Sequence, residues 1–73
     1  MKYETTDFYP ACALIASGIE YETEQLSRGQ WKWIFDDGKK SKEVLHKYEH
    51  GTLQVDALKL VNIINLMKAK VKN

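Results

Sequence analysis

Cysteine, proline and arginine each occur once in these 73 residues, and each scarcity excludes something. With Cys12 alone, no disulfide can close within the chain. Small exported domains usually depend on such staples, so a reducing cytosol is the expected location. Arg28 as the only arginine leaves no set of guanidinium forks to read guanine edges with paired hydrogen bonds. No apolar run approaches the roughly 18–20 residues that cross a bilayer, so no membrane partner is expected. Met1-Lys2-Tyr3-Glu4-Thr5-Thr6 contains no apolar signal core, and export is not expected either. A glycine-rich phosphate loop, a nucleophile elbow and a serine–histidine–aspartate set are all missing. The expectation is therefore a non-enzymatic protein that needs no cofactor.

What remains is an ordinary globular composition, 44% hydrophobic and 29% charged, in one small domain with a thin core. The charges are sorted along the chain. Residues 1–38 carry Lys2, Arg28 and Lys32 against seven acids, whereas residues 39–73 carry eight lysines against Glu43, Glu49 and Asp56. The formal total of +1 hides this split. A bipolar surface of this kind can orient a partner or a second copy of the chain.

Helical spacing of Phe8, Ala11, Cys12 and Ile15 predicts a first helix from about Phe8 to Ser17, stopped by Gly18. Pro10 places its start, because Asp7 as N-cap puts the missing N–H among first-turn groups that have no partner anyway. Ile19–Leu26 and Gln30–Phe35 alternate as strands. A two-residue Arg28-Gly29 turn would set Trp33 against Glu24, whereas a three-residue loop pairs Leu26 with Gln30. The longer loop puts Ile19, Tyr21 and Thr23 on the face of Trp31, Trp33 and Phe35, and sets Glu24 across from Lys32. The hydrophobic pattern selects it.

Asp36 or Asp37 is expected to cap a second helix over Gly38–His50, closed by Gly51, with a narrow stripe of Ser41, Val44, Leu45 and Tyr48. Thr52–Val55 reads as an extended connector. Asp56 caps a third helix from Ala57 to about Lys70, with Val55 stapled against Leu60. Its wide apolar face, Ala57, Leu60, Val61, Ile64, Met67 and Val71 broadened by Leu58, Ile63 and Leu66, predicts the main wall of the core. The expected fold is α+β in the order α-β-β-α-α, a hairpin covered on one face by three helices. Residues 2–5 and 52–55 are the two candidates for a third short strand.

Four pieces of this pattern together resemble a family of small bacterial and bacteriophage domains of unknown function. They are Thr6-Asp7-Phe8-Tyr9 opening a helix that ends at Gly18, the hairpin into Trp33-Ile34-Phe35-Asp36-Asp37, the helix ending near Tyr48 and Gly51, and Val55-Asp56 opening the last helix. Pro10 and the lysine-rich ends depart from that family's pattern. The resemblance implies a compact α+β unit and brings no activity with it.

Among chemistry-bearing residues, His46 and His50 have the four-residue spacing that presents two imidazoles to one metal. No further cysteine or histidine completes a tetrahedral site, and both suit the dipole at a helix C-terminus. Asp36 and Asp37 could bind magnesium but fit capping better. Cys12 lies in an apolar stretch without a basic neighbour in sequence, which reads as an inert buried thiol. Trp31, Trp33, Phe35 and Tyr21 could stack single-stranded bases, yet the helices need that same face to pack on, and the opposite face carries phosphate-repelling acids. One tryptophan is expected at the edge, since burying both requires partners for two indole N–H groups. Lys39, Lys40, Lys42 and Lys47 on the second helix and Lys59, Lys68, Lys70 and Lys72 on the third would form a basic patch if those helices lie side by side. Two functions are therefore expected. The first is a protein-interaction or accessory module using its bipolar surface, homodimeric or bound to a foreign protein. The second is a salt-sensitive, sequence-nonspecific nucleic-acid binder working through Lys39, Lys40, Lys42, Lys47, Lys68, Lys70 and Lys72.

Overall fold

The computed structural model describes residues 1–72. Six elements follow one another: β1 (Tyr3–Thr5), α1 (Phe8–Ala16), β2 (Tyr21–Ser27), β3 (Gln30–Phe35), α2 (Gly38–Glu49) and α3 (Ala57–Val71). The order is thus β-α-β-β-α-α rather than α-β-β-α-α, because the N-terminal segment supplies a strand. Both β1 and β2 run antiparallel to β3, giving the sheet order β1-β3-β2.

Of the two candidates for a third strand, residues 3–5 join the sheet, with Tyr3 opposite Phe35 and Thr5 opposite Trp33. Their alternation, Tyr3 and Thr5 inward and Glu4 outward, matches the pleat. Residues 52–55 do not join. The N–H groups of Thr52 and Leu53 instead donate to the Lys47 carbonyl at 2.9 and 3.2 Å, closing the end of α2. Together with Gly51 N–H to Tyr48 O, these bonds form a Schellman motif around Gly51 at φ 70°. The same pair of bonds, Gly18 to Ile15 and Ile19 to Leu14, stops α1 around Gly18 at φ 85°.

The hairpin combines both turns considered from the sequence. Ser27 pairs with Gln30, so the turn is the two-residue Arg28-Gly29, and a bulge at Leu26 absorbs the extra residue. Beyond the bulge Thr23 faces Trp33, Tyr21 faces Phe35 and Glu24 faces Lys32. The expected loop was wrong in length, but the faces are those that the hydrophobic pattern required.

The core lies between the Trp33/Phe35 face of the sheet and the helices. Leu14 and Phe35 are fully buried, and each contributes about 1.5–3 kcal/mol by leaving water. In α1, buried Ala11, Ala13 and Ala16 sit beside Cys12 and Leu14, so this nine-residue helix is enclosed on most sides. Small residues let α2 and α3 approach it, and each packs on α1. The main wall is therefore α1 and not α3. In α3 only Met67 is buried, Leu60, Ile63, Ile64 and Val71 pack partly, and Leu58 and Leu66 remain 70% and 65% exposed. A domain this small has nothing left to cover the outward side of a helix at its flank.

Asp37 and Asp56 cap as expected, accepting from Lys40 N–H at 3.0 Å and Lys59 N–H at 2.8 Å. Asp7 occupies the N-cap of α1, but its carboxylate accepts no capping bond. Its own N–H instead donates to Thr5 Oγ1 at 3.1 Å, tying β1 to the helix start.

Candidate functional site

Because the N-terminal half builds the sheet and the C-terminal half builds two helices, the charge split along the chain becomes a split between layers. Outward-facing positions of the sheet carry Glu4 on β1, Glu22 and Glu24 on β2, and Lys32 and Ile34 on β3. Lys32, on the central strand, reaches Glu24 at 3.1 Å and Glu4 at 3.2 Å, so one ammonium joins all three strands. Hydrogen bonding first to Glu24 and then to Glu4 raises the Lys32 pKa above its ordinary value. Glu20 and Asp36 continue the acidic surface past the strand ends, where Asp36 N–H donates to the Glu20 carbonyl at 3.1 Å. Lys2 lies 3.9 Å from the Asp36 carboxylate. Glu20 and Glu22 make no ion pair among the described residues.

Lys39, Lys40, Lys42 and Lys47 are exposed on α2, and Lys59, Lys68 and Lys70 are exposed on α3 with Lys72 at its C-cap. Both helices pack on α1, α2 also meets β1, and these lysines project from the two helices into solvent. Lys68 and Lys70, two residues apart on a helix, point to opposite flanks. The positive charge of Lys68 acts on Cys12, and Lys70 Nζ lies 5.6 Å from the centre of the Trp31 ring.

The aromatic face is closed to bases. Trp33 is 2% exposed and Phe35 fully buried, with Phe8 edge-on to Trp33 at 6.0 Å. Trp31 is the tryptophan at the edge, half-buried under Lys70. Its position does not spare the indole, however. Nε1 of Trp31 and Nε1 of Trp33 are both buried, and neither has a hydrogen-bond partner among the described residues. Packing of both rings against the core outweighs two unmade bonds, so neither indole N–H needs a partner for its ring to be buried.

His46 and His50 stack at 4.2 Å on exposed α2, and a His50 ring nitrogen, Nδ1, lies 2.8 Å from the His46 carbonyl. Among the described residues no group of three or more histidine, cysteine or carboxylate side chains could hold a metal ion. Asp37 is engaged as a cap, which separates its role from that of Asp36. Cys12 is fully buried, and burial raises its thiol pKa while Lys68 pulls it back. That cation comes from α3 and was invisible to a search of sequence neighbours.

One feature carried no residue signal at all, the open edge of β2. Among the described residues β2 pairs only with β3. β1 at the other edge is just three residues long, and Met1, which precedes it, accepts a 2.7 Å bond from Gly38 N–H of α2. No described helix is long and apolar enough to cross a membrane. Comparison with protein-family models, curated proteins and solved structures returns no match.

Proposed function

We propose that this chain is a non-enzymatic protein-interaction module, an accessory unit whose acidic sheet surface and lysine-bearing helices orient a protein partner. The observation that carries this reading is the placement of Glu4, Glu22 and Glu24 on the outward face of the sheet, while α2 and α3 carry exposed lysines, of which Lys40 lines a depression with Glu20 and Asp36. Opposed fields of this kind steer encounter and fix orientation more than they add affinity. A buried, unpaired cysteine accords with a reducing, cytoplasmic setting. The resemblance to small bacterial and phage domains favours a partner from such a complex.

The test is retention of protein partners on the immobilised chain at about 50 and 500 mM salt, with Glu20→Lys/Glu22→Lys and Lys42→Glu/Lys47→Glu as controls. A partner held by the wild type and released by one charge reversal supports the module. Equal retention by all three proteins overturns it. Light scattering at tens of micromolar decides whether the partner is a second copy, as a mass twice 8.5 kDa would show.

A second reading rests on one observation, that Lys39, Lys40, Lys42 and Lys47 are exposed on one helix with no ion pair among the described residues. Salt-sensitive phosphate binding would use them. Anisotropy of labelled single- and double-stranded DNA at about 50 and 200 mM salt tests it. Binding at low salt that Lys40→Glu/Lys47→Glu abolishes moves nucleic acid to first place, and no binding removes it.

A further inference from the structure

The free edge of β2 has a definite polarity. Asp36 N–H bonds the Glu20 carbonyl, so Glu20 directs its backbone toward β3. With the two-residue period of an antiparallel pair, Glu22 and Glu24 do the same. Tyr21, Thr23 and Gln25 therefore turn their N–H and C=O groups to the open side. Their side chains face inward, while those of Glu20, Glu22 and Glu24 face outward.

A shallow, open depression of about 510 Å³ lies at the start of β2. Its lining combines apolar Ile15, Ile19 and Tyr21 with acidic Glu20, Glu22 and Asp36. Glu24 is already paired with Lys32, which leaves Glu22 on β2 and Glu20 just before it without an ion pair among the described residues.

We infer that β2 accepts an extended segment of a partner protein as a fourth, antiparallel strand, and that this segment alternates cationic and apolar residues. The inference rests on the interaction-module reading and specifies its site. Residues of the incoming strand opposite Tyr21 and Thr23 exchange backbone bonds with them, and their apolar side chains meet Ile15 and Ile19. The residue between them stands beside Glu22 on the outer face and the one beyond the partner of Tyr21 stands beside Glu20, positions that favour a cation. A second copy of β2 does not fit, because antiparallel self-pairing sets glutamate against glutamate. The alternating Lys68-Ala69-Lys70-Val71-Lys72 of a second copy is engaged in and just beyond α3, with Lys70 over Trp31.

The probe is a fluorescein-labelled peptide of alternating lysine and valine, six residues long, read by anisotropy and by amide shifts of Tyr21, Thr23 and Gln25. Binding should be lost on N-methylation of the valines, whose N–H groups face β2, and kept on N-methylation of the lysines, whose N–H groups face away. Glu22→Lys should weaken it by about tenfold with an unchanged thermal midpoint. No binding overturns the inference, and so does equal binding of a block peptide with three lysines followed by three valines. If the peptide fails while the immobilised chain still loses its partner on Lys42→Glu/Lys47→Glu, the module stands and only this site falls. If neither responds, both fall. A doubled mass by light scattering that Glu22→Lys increases would assign the edge to self-association instead.

Discussion

Lys32 Nζ lies 3.1 Å from Glu24 Oε1, and the two residues stand directly opposite each other across β3 and β2. The same ammonium is 3.2 Å from Glu4 on β1. A cation on the central strand between acids on both edge strands opposes any one-residue slip of either edge, since a slip would send its acid to the apolar face.

This arrangement predicts a loss of stability in alkali. Glu24 and then Glu4 hold the Lys32 pKa above its ordinary 10.5, so the folded state binds the proton more tightly than the unfolded chain. The stabilisation is complete below pH 10.5 and is lost as pH rises through the raised folded value. Urea unfolding of wild type and Lys32→Met should therefore differ at about pH 8 and converge toward about pH 12. A difference that does not shrink would show that Lys32 acts through packing alone.

Cys12 makes a second alkaline contribution that starts lower. Burial raises its thiol above the ordinary 9.0, and Lys68 opposes the shift. A raised folded pKa means that stability falls as pH climbs past 9.0. Cys12→Ala should flatten that part of the profile, and Lys68→Met should delay appearance of thiolate absorbance in the native protein. Reaction with a thiol reagent near neutral pH should be no faster than global unfolding. Rapid labelling would mean that α1 and α3 separate locally.

Trp33→Ala should cost about 3–5 kcal/mol, the range for truncating a buried aromatic. Trp33→Phe should cost less than half of that. It keeps a ring against Phe8 and deletes a buried N–H with no partner among the described residues, whose desolvation costs about 1–3 kcal/mol. Equal losses for the two variants in denaturant titrations would mean that the indole nitrogen is satisfied.

The three cap positions should respond unequally. Asp56→Ala and Asp37→Ala each remove a side-chain bond to a helix N–H and should cost about 1 kcal/mol. Asp7→Ala removes no such bond and should cost about 0.3–1 kcal/mol through the helix dipole. Thermal midpoints that drop equally for all three would contradict the observed cap geometry.

Gly38→Val should loosen β1 before it unfolds the domain. A Cβ on Gly38 would collide with the Met1 carbonyl that its N–H bonds. Faster hydrogen exchange in residues 3–5, with β2 and β3 amides unchanged, is the expected result. Unchanged exchange at residues 3–5 would show that Met1 yields at no cost to the strand.

Much of this was legible because local rules act within a few residues. Asp37, Asp56, Gly18 and Gly51 mark helix ends through bonds that span at most six positions, and each sits where the sequence placed it. The hairpin faces were readable from alternation, although the bulge at Leu26 was not, because turn and bulge trade one residue without changing which side chains face inward. The lysines were visible as residues but not as surfaces, since their grouping depends on where α1 lies.

The sequence by itself determined the helices, the hairpin, the inward set of Tyr21, Trp33 and Phe35, and the sorting of acids before lysines. These follow from periodicity, capping and charge, which need no knowledge of distant contacts. Tertiary structure alone decided that Tyr3–Thr5 closes one sheet edge, that α1 rather than α3 is enclosed, and that β2 is left open. Those outcomes depend on long-range competition for a core too small to cover every apolar face. Three small strands and three helices cannot bury everything their patterns offer, and only packing chooses what stays outside.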